Sequence, residues 1–178
     1  MVYGVSSLFN LMIRLGGVAR WSTLRRHLSR SQIDRAVING TLLRVARGRF
    51  ALPGVPESLM AAIQVTGVVS HRSAAAQYGW EQKQEPLRPE VTVPRDRRIP
   101  IAARRRMHIH YADLGPDDTD GNITSRRRTL FDCLRQLPFD EALAIADSAL
   151  RRGDVSPEGL VRIAAEACGP GSRAARRV

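Results

Sequence analysis

Residues 29–52 read SRSQIDRAVINGTLLRVARGRFAL, and this stretch decides the fold of the N-terminal part of the chain. Ser29 followed three residues later by Gln32 is a capping-box pattern, which predicts that a helix begins here. An apolar face with helical spacing follows, and Gly40 stands where a glycine commonly ends a helix. The stretch therefore predicts a short, well-delimited helix before the first strands.

A hairpin and two earlier helices complete this region. The short apolar runs 42–45 and 49–52 flank a glycine-containing turn and predict two antiparallel strands. Upstream, residues 6–15 carry an amphipathic stripe and residues 23–28 predict a second short helix. Three short helices followed by a hairpin are typical of a winged helix-turn-helix, which we expect over residues 1–55.

The remainder predicts a small mixed α/β domain over residues 56–168, so the expected fold class is α+β. A proline-containing stretch, residues 53–56, marks the expected boundary between the two domains. We interpret residues 95–106 as a solvated connection and residues 169–178 as a disordered tail. The expected elements of the second domain are helices at 57–65, 70–78, 125–137, 138–152 and 157–168, and strands at 90–94 and 107–111.

The basic residues are unevenly distributed. The chain has 28 Lys and Arg residues against 17 acidic ones, and 27 of the 28 are Arg. Codon usage in a GC-rich genome also favours Arg over Lys, but it does not concentrate charge in one region. Residues 1–55 carry a net charge of +8, residues 56–110 carry +4, and residues 111–178 carry −1. This asymmetry is typical of a nucleic-acid-binding module joined to another domain.

The predicted third helix and the hairpin supply the candidate contacts to double-stranded DNA. If Ile33 and Ala36 face the core, Ser31 and Arg35 point away from it. Serine and arginine are among the side chains that bind base edges and phosphates in DNA. The alternative to DNA binding is that this face is merely polar and solvated. The candidate DNA-binding residues are Arg30, Ser31, Gln32, Arg35, Asn39, Arg44, Arg47 and Arg49.

Other residues that could carry chemistry lack the expected partners. His108 and His110 would share one face of a strand, but no Cys or carboxylate cluster of ligand spacing lies nearby, so ordinary strand histidines are the preferred interpretation. Ser70 and His71 suggest a nucleophile beside a base, yet adjacent helical residues diverge by about 100°, which predicts no hydrogen bond between them. We therefore expect no enzyme activity, no metal and no cofactor.

Nothing in the sequence predicts a membrane segment. The apolar cluster near the N-terminus has no basic region before it and no small-residue cleavage site after it. No apolar run approaches the roughly 18 residues that a membrane span needs. The expected location is therefore the cytoplasm, with no membrane partner.

Several short motifs resemble the AbiEi family of antitoxins, the transcriptional autoregulators of type IV toxin–antitoxin loci. Residues 16–52 are similar to the winged-helix domain of that family. Three motifs in the second half are similar to the following domain of actinobacterial members, and these are Ser70-His71-Arg72-Ser73-Ala74-Ala75, Val91-Thr92-Val93-Pro94 and Arg128-Thr129-Leu130-Phe131-Asp132. The resemblance implies a protein that binds operator DNA near its own promoter and counteracts a nucleotidyltransferase toxin, in many cases without a stable complex.

Two departures from that family leave an alternative open. Arg126 stands where the group usually has proline. Many actinobacterial relatives continue into a Vsr-like nuclease domain where this chain stops, so the alternative function is the DNA-targeting remnant of such a nuclease protein. A protein-interaction module with an acidic partner is a third hypothesis. Operators with repeated half-sites make weak self-association a further expectation.

Overall fold

The computed structural model describes residues 3–167, and side chains are described from residue 7 onward. Within this range the chain is a mixed α/β protein with nine α-helices and two β-sheets. The predicted tail, residues 169–178, lies outside the described residues. No helix in the described part of the chain is long and apolar enough to cross a membrane. The first part comprises α1 (Tyr3–Arg14), β1 (Val18–Arg20), α2 (Trp21–Leu24), α3 (Arg30–Ile38), β2 (Leu43–Ala46) and β3 (Arg49–Ala51).

The helix predicted from residues 29–40 forms as α3. The Ser29 hydroxyl accepts a hydrogen bond from the Gln32 backbone N–H at 3.2 Å, and the Gln32 side-chain oxygen accepts from the Ser29 N–H at 2.7 Å. This capping box satisfies two N–H groups that the helix start would otherwise leave unpaired. Gly40 follows the helix with a φ of +76°, which a glycine adopts without strain.

The N-terminal sheet has three strands in the order β1-β3-β2, all antiparallel. The hairpin β2–β3 was predicted, whereas β1 was not. Three residues are too few to show a strand periodicity, and β1 exists because its backbone pairs with β3. Helix α2 is also shorter than predicted, ending at Leu24, and the Arg25 side chain then donates to the Leu28 carbonyl in the turn that follows.

The second part of the chain builds a five-stranded sheet in the order β6-β5-β4-β8-β7. The pairs β5–β6 and β4–β8 are parallel and the others are antiparallel. Its elements are α4 (Glu57–Val65), β4 (Val68–Val69), α5 (His71–Gln77), β5 (Glu90–Val93), α6 (Ile101–Arg106), β6 (His108–Tyr111), a 3-10 turn (Pro116–Asp118), β7 (Thr119–Asp120), β8 (Ile123–Thr124), α7 (Arg126–Gln136), α8 (Phe139–Arg151) and α9 (Pro157–Ala167).

The stretch 95–106, which the sequence suggested was a connection only, contains helix α6. Pro100 precedes the helix, and Ala103 on its inner face is 8% exposed in the main core. The arginines of its last turn made the whole segment look solvated, so the sequence did not indicate this short apolar contact. They also suit a helix C-terminus, where positive charge is favourable.

Helix α4 joins the two sheets into one packed body. One buried cluster contains Val18 and Ala51 of the N-terminal sheet together with Val69 and Val91 of the second sheet. Helix α4 supplies the side chains between them, among them Ala62 with no exposed surface. The two parts on either side of residue 55 therefore share apolar core.

We expect that Gly67→Ala lowers the free energy of unfolding by about 1–3 kcal/mol, the usual cost of overpacking a core. A Cβ atom at Gly67 would lie 2.7 Å from the Thr92 carbonyl oxygen and 2.5 Å from a Val91 methyl carbon. Backbone at Thr92 cannot move without disturbing the β4–β5 pair. Urea unfolding measures the change, with Gly115→Ala as the control because its nearest atom would be 3.7 Å away. Equal stability of both variants would contradict the prediction.

Candidate functional site

Helix α3 exposes the polar residues that the sequence predicts as candidate DNA contacts. Arg35 is exposed, and Arg30 forms only a solvent-exposed pair with Asp34 at 3.5 Å. Ser31 shares a hydrogen bond with Ser29, and its hydroxyl remains at the surface. The outer face of α3 is therefore open along its first two turns.

Two of the predicted contacts also have local structural roles. The side-chain oxygen of Gln32 is engaged by the capping box, so its amide N–H groups are the part left for a ligand. The Asn39 side-chain oxygen accepts from the Thr41 N–H at 3.1 Å, which shapes the turn after α3. Both side chains are exposed, and neither can present all its polar atoms to a ligand without losing a local hydrogen bond.

The hairpin presents three arginines in different settings. Arg47 lies exposed in the turn, and Arg44 lies with its guanidinium 5.7 Å from the centre of the Phe50 ring. Arg49 points instead toward the end of α4, where it donates to the Gln64 carbonyl at 3.0 Å and to the Thr66 hydroxyl. Arg49 thus fastens the hairpin to the second part of the chain.

Arg49 lies near two further arginines, one of which shares its contact with Thr66. Arg97, from the loop after β5, donates to the same hydroxyl at 2.9 Å, and Arg20 lies opposite Arg49 in the β1–β3 register. Partial burial, followed by the charges of Arg97 and Arg20, lowers the pKa of Arg49 below its ordinary value. We name these three residues the junction arginines. Within residues 7–167, none of them forms an ion pair with a carboxylate.

A second cluster lies inside the C-terminal part, around the start of α5. His71 is 2% exposed and has a φ of +49°, and its Nδ1 atom lies 3.0 Å from the Ser70 hydroxyl. The expectation that these adjacent side chains could not hydrogen-bond is therefore wrong. The 100° rule applies to two helical residues, whereas Ser70 is extended and His71 is left-handed. Because Ser70 has no exposed surface, a substrate could not reach it as a nucleophile.

Three imidazole rings form a stack from the interior outward. The His71 and His110 ring centres are 3.5 Å apart with an interplanar angle of 14°, and those of His110 and His108 are 4.6 Å apart at 3°. Burial, followed by the charge of His108, lowers the pKa of His110 to about 4. Burial, followed by the charges of His110 and His108, places the pKa of His71 well below its ordinary value. The two inner rings are therefore neutral at pH 7.

Glu90 lies beside this stack and is held by Arg72. The Arg72 guanidinium donates to Glu90 Oε1 through Nη2 at 2.8 Å and Nε at 3.1 Å, and the Arg72 backbone N–H donates to Oε2 at 2.8 Å. A further N–H of Arg72 donates to Glu141 on α8 at 3.2 Å. The Ser73 hydroxyl accepts from the Glu90 backbone N–H. The stretch 70–73 thus connects α5 to β5 by side-chain hydrogen bonds.

These groups could hold a metal ion. One ligand atom from each of His71, Glu90 and His110 lies within 4.8 Å of the other two. No spacing in the sequence predicts a carboxylate here, because Glu90 is 18 residues before His108. The parallel pairing of β5 with β6 sets Glu90 opposite His108 and so brings the carboxylate to the histidines.

The motif at the start of α7 has a structural role. Arg128 Nε lies 3.0 Å from both carboxylate oxygens of the buried Asp132, and Arg128 Nη1 donates to Asp118 at 3.2 Å. The Thr129 hydroxyl donates to the Thr124 carbonyl. These bonds tie α7 to the chain segment before it, and they leave no exposed reactive group.

No protein-family profile matches the chain, and no curated protein is similar enough to be matched. Among solved structures, the chain is similar to the RV2827C protein from Mycobacterium tuberculosis, with 15% identity and a TM-score of 0.43. The match covers 93% of this chain and 72% of that one. This likeness is too distant to carry an inference about function.

Proposed function

We propose that the chain is a DNA-binding transcriptional regulator of the AbiEi antitoxin type, with α3 and the β2–β3 hairpin facing double-stranded operator DNA. The order helix, strand, helix, helix, hairpin supports a winged helix-turn-helix in this proposal, with the capped helix α3 as its recognition helix. In this proposal, Ser31 and Arg35 contact base edges. Arg44 and Arg47 contact phosphates.

The junction arginines are the observation that carries this proposal. Arg49 and Arg97 donate to the same hydroxyl, and a neighbouring like charge disfavours the charged form of each guanidinium. Among the described residues no carboxylate is paired with Arg20, Arg49 or Arg97, so an anion from outside would complete the cluster. Arginine donates two parallel hydrogen bonds to a phosphate, and successive phosphates along DNA would engage both the cluster and the exposed Arg47.

The junction arginines also extend the proposed interface beyond residues 1–55. Arg97 belongs to the loop after β5, yet it meets Arg49 of the hairpin at Thr66. A fragment ending at residue 55 would lack Arg97 and would expose the side of the N-terminal sheet that α4 covers. Tests of DNA binding should therefore use the whole chain. We further propose that the functional partner is a nucleotidyltransferase toxin, as the family resemblance implies.

We expect that Arg47→Ala and Arg97→Ala each weaken binding to any duplex and each reduce the slope of log K against log salt by about 0.9, the effect of losing one phosphate contact. Fluorescence anisotropy with the region upstream of the gene and with a random duplex measures both quantities. Arg151→Ala is the matched control. Arg151 is already paired with Asp147 on α8 and with Glu81 in the loop after α5.

Arg35→Ala separates recognition of bases from electrostatic attraction. A base contact is worth about 1–3 kcal/mol of discrimination, so this variant is expected to lose preference for the upstream region over random DNA. Failure of the unaltered protein to bind either duplex at low salt would overturn the proposed function. Binding that Arg35, Arg47 and Arg97 variants all leave unchanged would overturn this interface.

A further inference from the structure

The buried histidine stack has two ring nitrogens with no hydrogen-bond partner in the described part of the chain. They are the Nε2 atoms of His71 and His110, and both are shielded from solvent. The Gln136 side chain lies close to both rings, and a side-chain hydrogen bond with it acts to raise the pKa of each ring. The large majority of buried side-chain polar atoms have a partner, so two such atoms beside a carboxylate need an explanation.

We propose that His71, His110 and Glu90 form a binding site for a divalent transition-metal ion of the zinc class. Neutral imidazole nitrogens and a carboxylate are ligands that such ions prefer. One ligand atom from each residue already lies within 4.8 Å of the others, and His71 is 2% exposed with its Nε2 atom unpaired. The inference is independent of the proposed DNA binding.

The groups around these ligands hold them as outer-shell residues do in known metal sites. The Thr92 hydroxyl donates to Ser70 at 2.8 Å, and the Ser70 oxygen can accept a second hydrogen bond from His71 Nδ1, 3.0 Å away. A proton on Nδ1 leaves the Nε2 lone pair available, which is the usual arrangement of a metal-binding histidine. Arg72 fixes the Glu90 carboxylate, whose oxygens retain lone pairs for an ion.

One adjustment is needed for the two histidines to share an ion. In the stack the two ring planes are nearly parallel, so lone pairs that lie in those planes do not converge on one ion. His71 is held by Ser70 and has almost no exposed surface, whereas His110 is only partly buried. Sharing an ion would therefore require the His110 ring to turn about its Cβ–Cγ bond, which would end its stacking on His71.

An open cleft of about 570 Å³ lies on the surface beside the site. Arg72, Glu90 and His108 are among the residues that line it, so it reaches the carboxylate and the outer end of the stack but not the inner rings. The bound ion would cross-link α5 to the β5–β6 edge of the sheet.

The test is zinc binding by the full-length chain without an affinity tag. After dialysis with Zn²⁺ and removal of free metal, elemental analysis should find one zinc per chain, and titration should give the affinity. Removal of an outer-shell partner typically weakens metal binding by about 10–100-fold, so His110→Gln and Glu90→Gln should weaken it by more than about 100-fold. His27→Gln is the matched control, since His27 is exposed on the N-terminal part.

Two further measurements test whether the ion binds at these residues. Zn²⁺ should raise the melting temperature of the unaltered protein but not that of His110→Gln, a variant at a partly exposed position that is expected to fold. Co²⁺ should give a visible spectrum of nitrogen and oxygen ligation without a thiolate charge-transfer band. Less than a tenth of a zinc per chain, undiminished binding by His110→Gln, or a thiolate band would each overturn the proposed site.

Discussion

Replacement of Arg72 by methionine is expected to lower the free energy of unfolding by about 3–5 kcal/mol, the usual effect of breaking a buried ion pair by removing one partner. The Glu90 side chain is 3% exposed, and Arg72 provides both of the side-chain donors to its Oε1 atom. Methionine has similar length but no donor, so it leaves a buried carboxylate with only the backbone N–H at position 72. Urea unfolding at pH 8 measures the loss.

Two further variants test the cause. Glu90→Gln in the Arg72→Met background removes the unpaired charge and should recover part of the lost stability. Arg151→Ala is the control for arginine loss at the surface, since its pairs with Glu81 and Asp147 are exposed and should contribute at most about 1 kcal/mol. If Arg72→Met costs no more than Arg151→Ala, Arg72 is not the group that keeps Glu90 buried.

Acidification from pH 7 to pH 4 is expected to remove about 3 kcal/mol of stability through His110 alone. Its pKa is about 4 in the folded protein, against about 6.5 in an unfolded chain, and each unit of difference corresponds to about 1.4 kcal/mol. The unfolded state therefore takes up the proton first as the pH falls. This contribution is fully present above pH 6.5 and is lost as the pH decreases toward 4. The lowered pKa of His71 acts in the same direction.

The measurement is the free energy of unfolding between pH 7 and pH 4, in the presence of a chelator, for the unaltered protein and for His110→Gln. Carboxylates contribute to acid unfolding in both proteins, and the difference between the two curves cancels most of that contribution. The difference should change by about 3 kcal/mol across this range in favour of the variant at low pH. Parallel curves for the two proteins would contradict a His110 that its surroundings keep neutral.

The parts of the fold that depend on residues close together in the sequence could be predicted. The capping box at Ser29 and Gln32 is a local pattern, and the structure has it. Helix α4 spans the predicted residues 57–65, because a proline-containing boundary and an apolar face delimit it. The regional charge count placed most of the excess arginine in the N-terminal part, and two of the three junction arginines lie there.

Only the tertiary structure forms the short strands, the cluster of junction arginines and the cluster of His71, Glu90 and His110. Strands β4, β7 and β8 have two residues each, too few to carry a periodicity, and they form because other strands supply their hydrogen bonds. His71, Glu90 and His110 come from three elements that only the packing of α5 on the β5–β6 pair brings together. Arg97 meets Arg49 at Thr66 across 48 positions of sequence for the same reason. Local hydrogen bonds and apolar spacing depend on residues that are close together in the sequence. Contacts between distant residues form only when separate elements bury their apolar faces together.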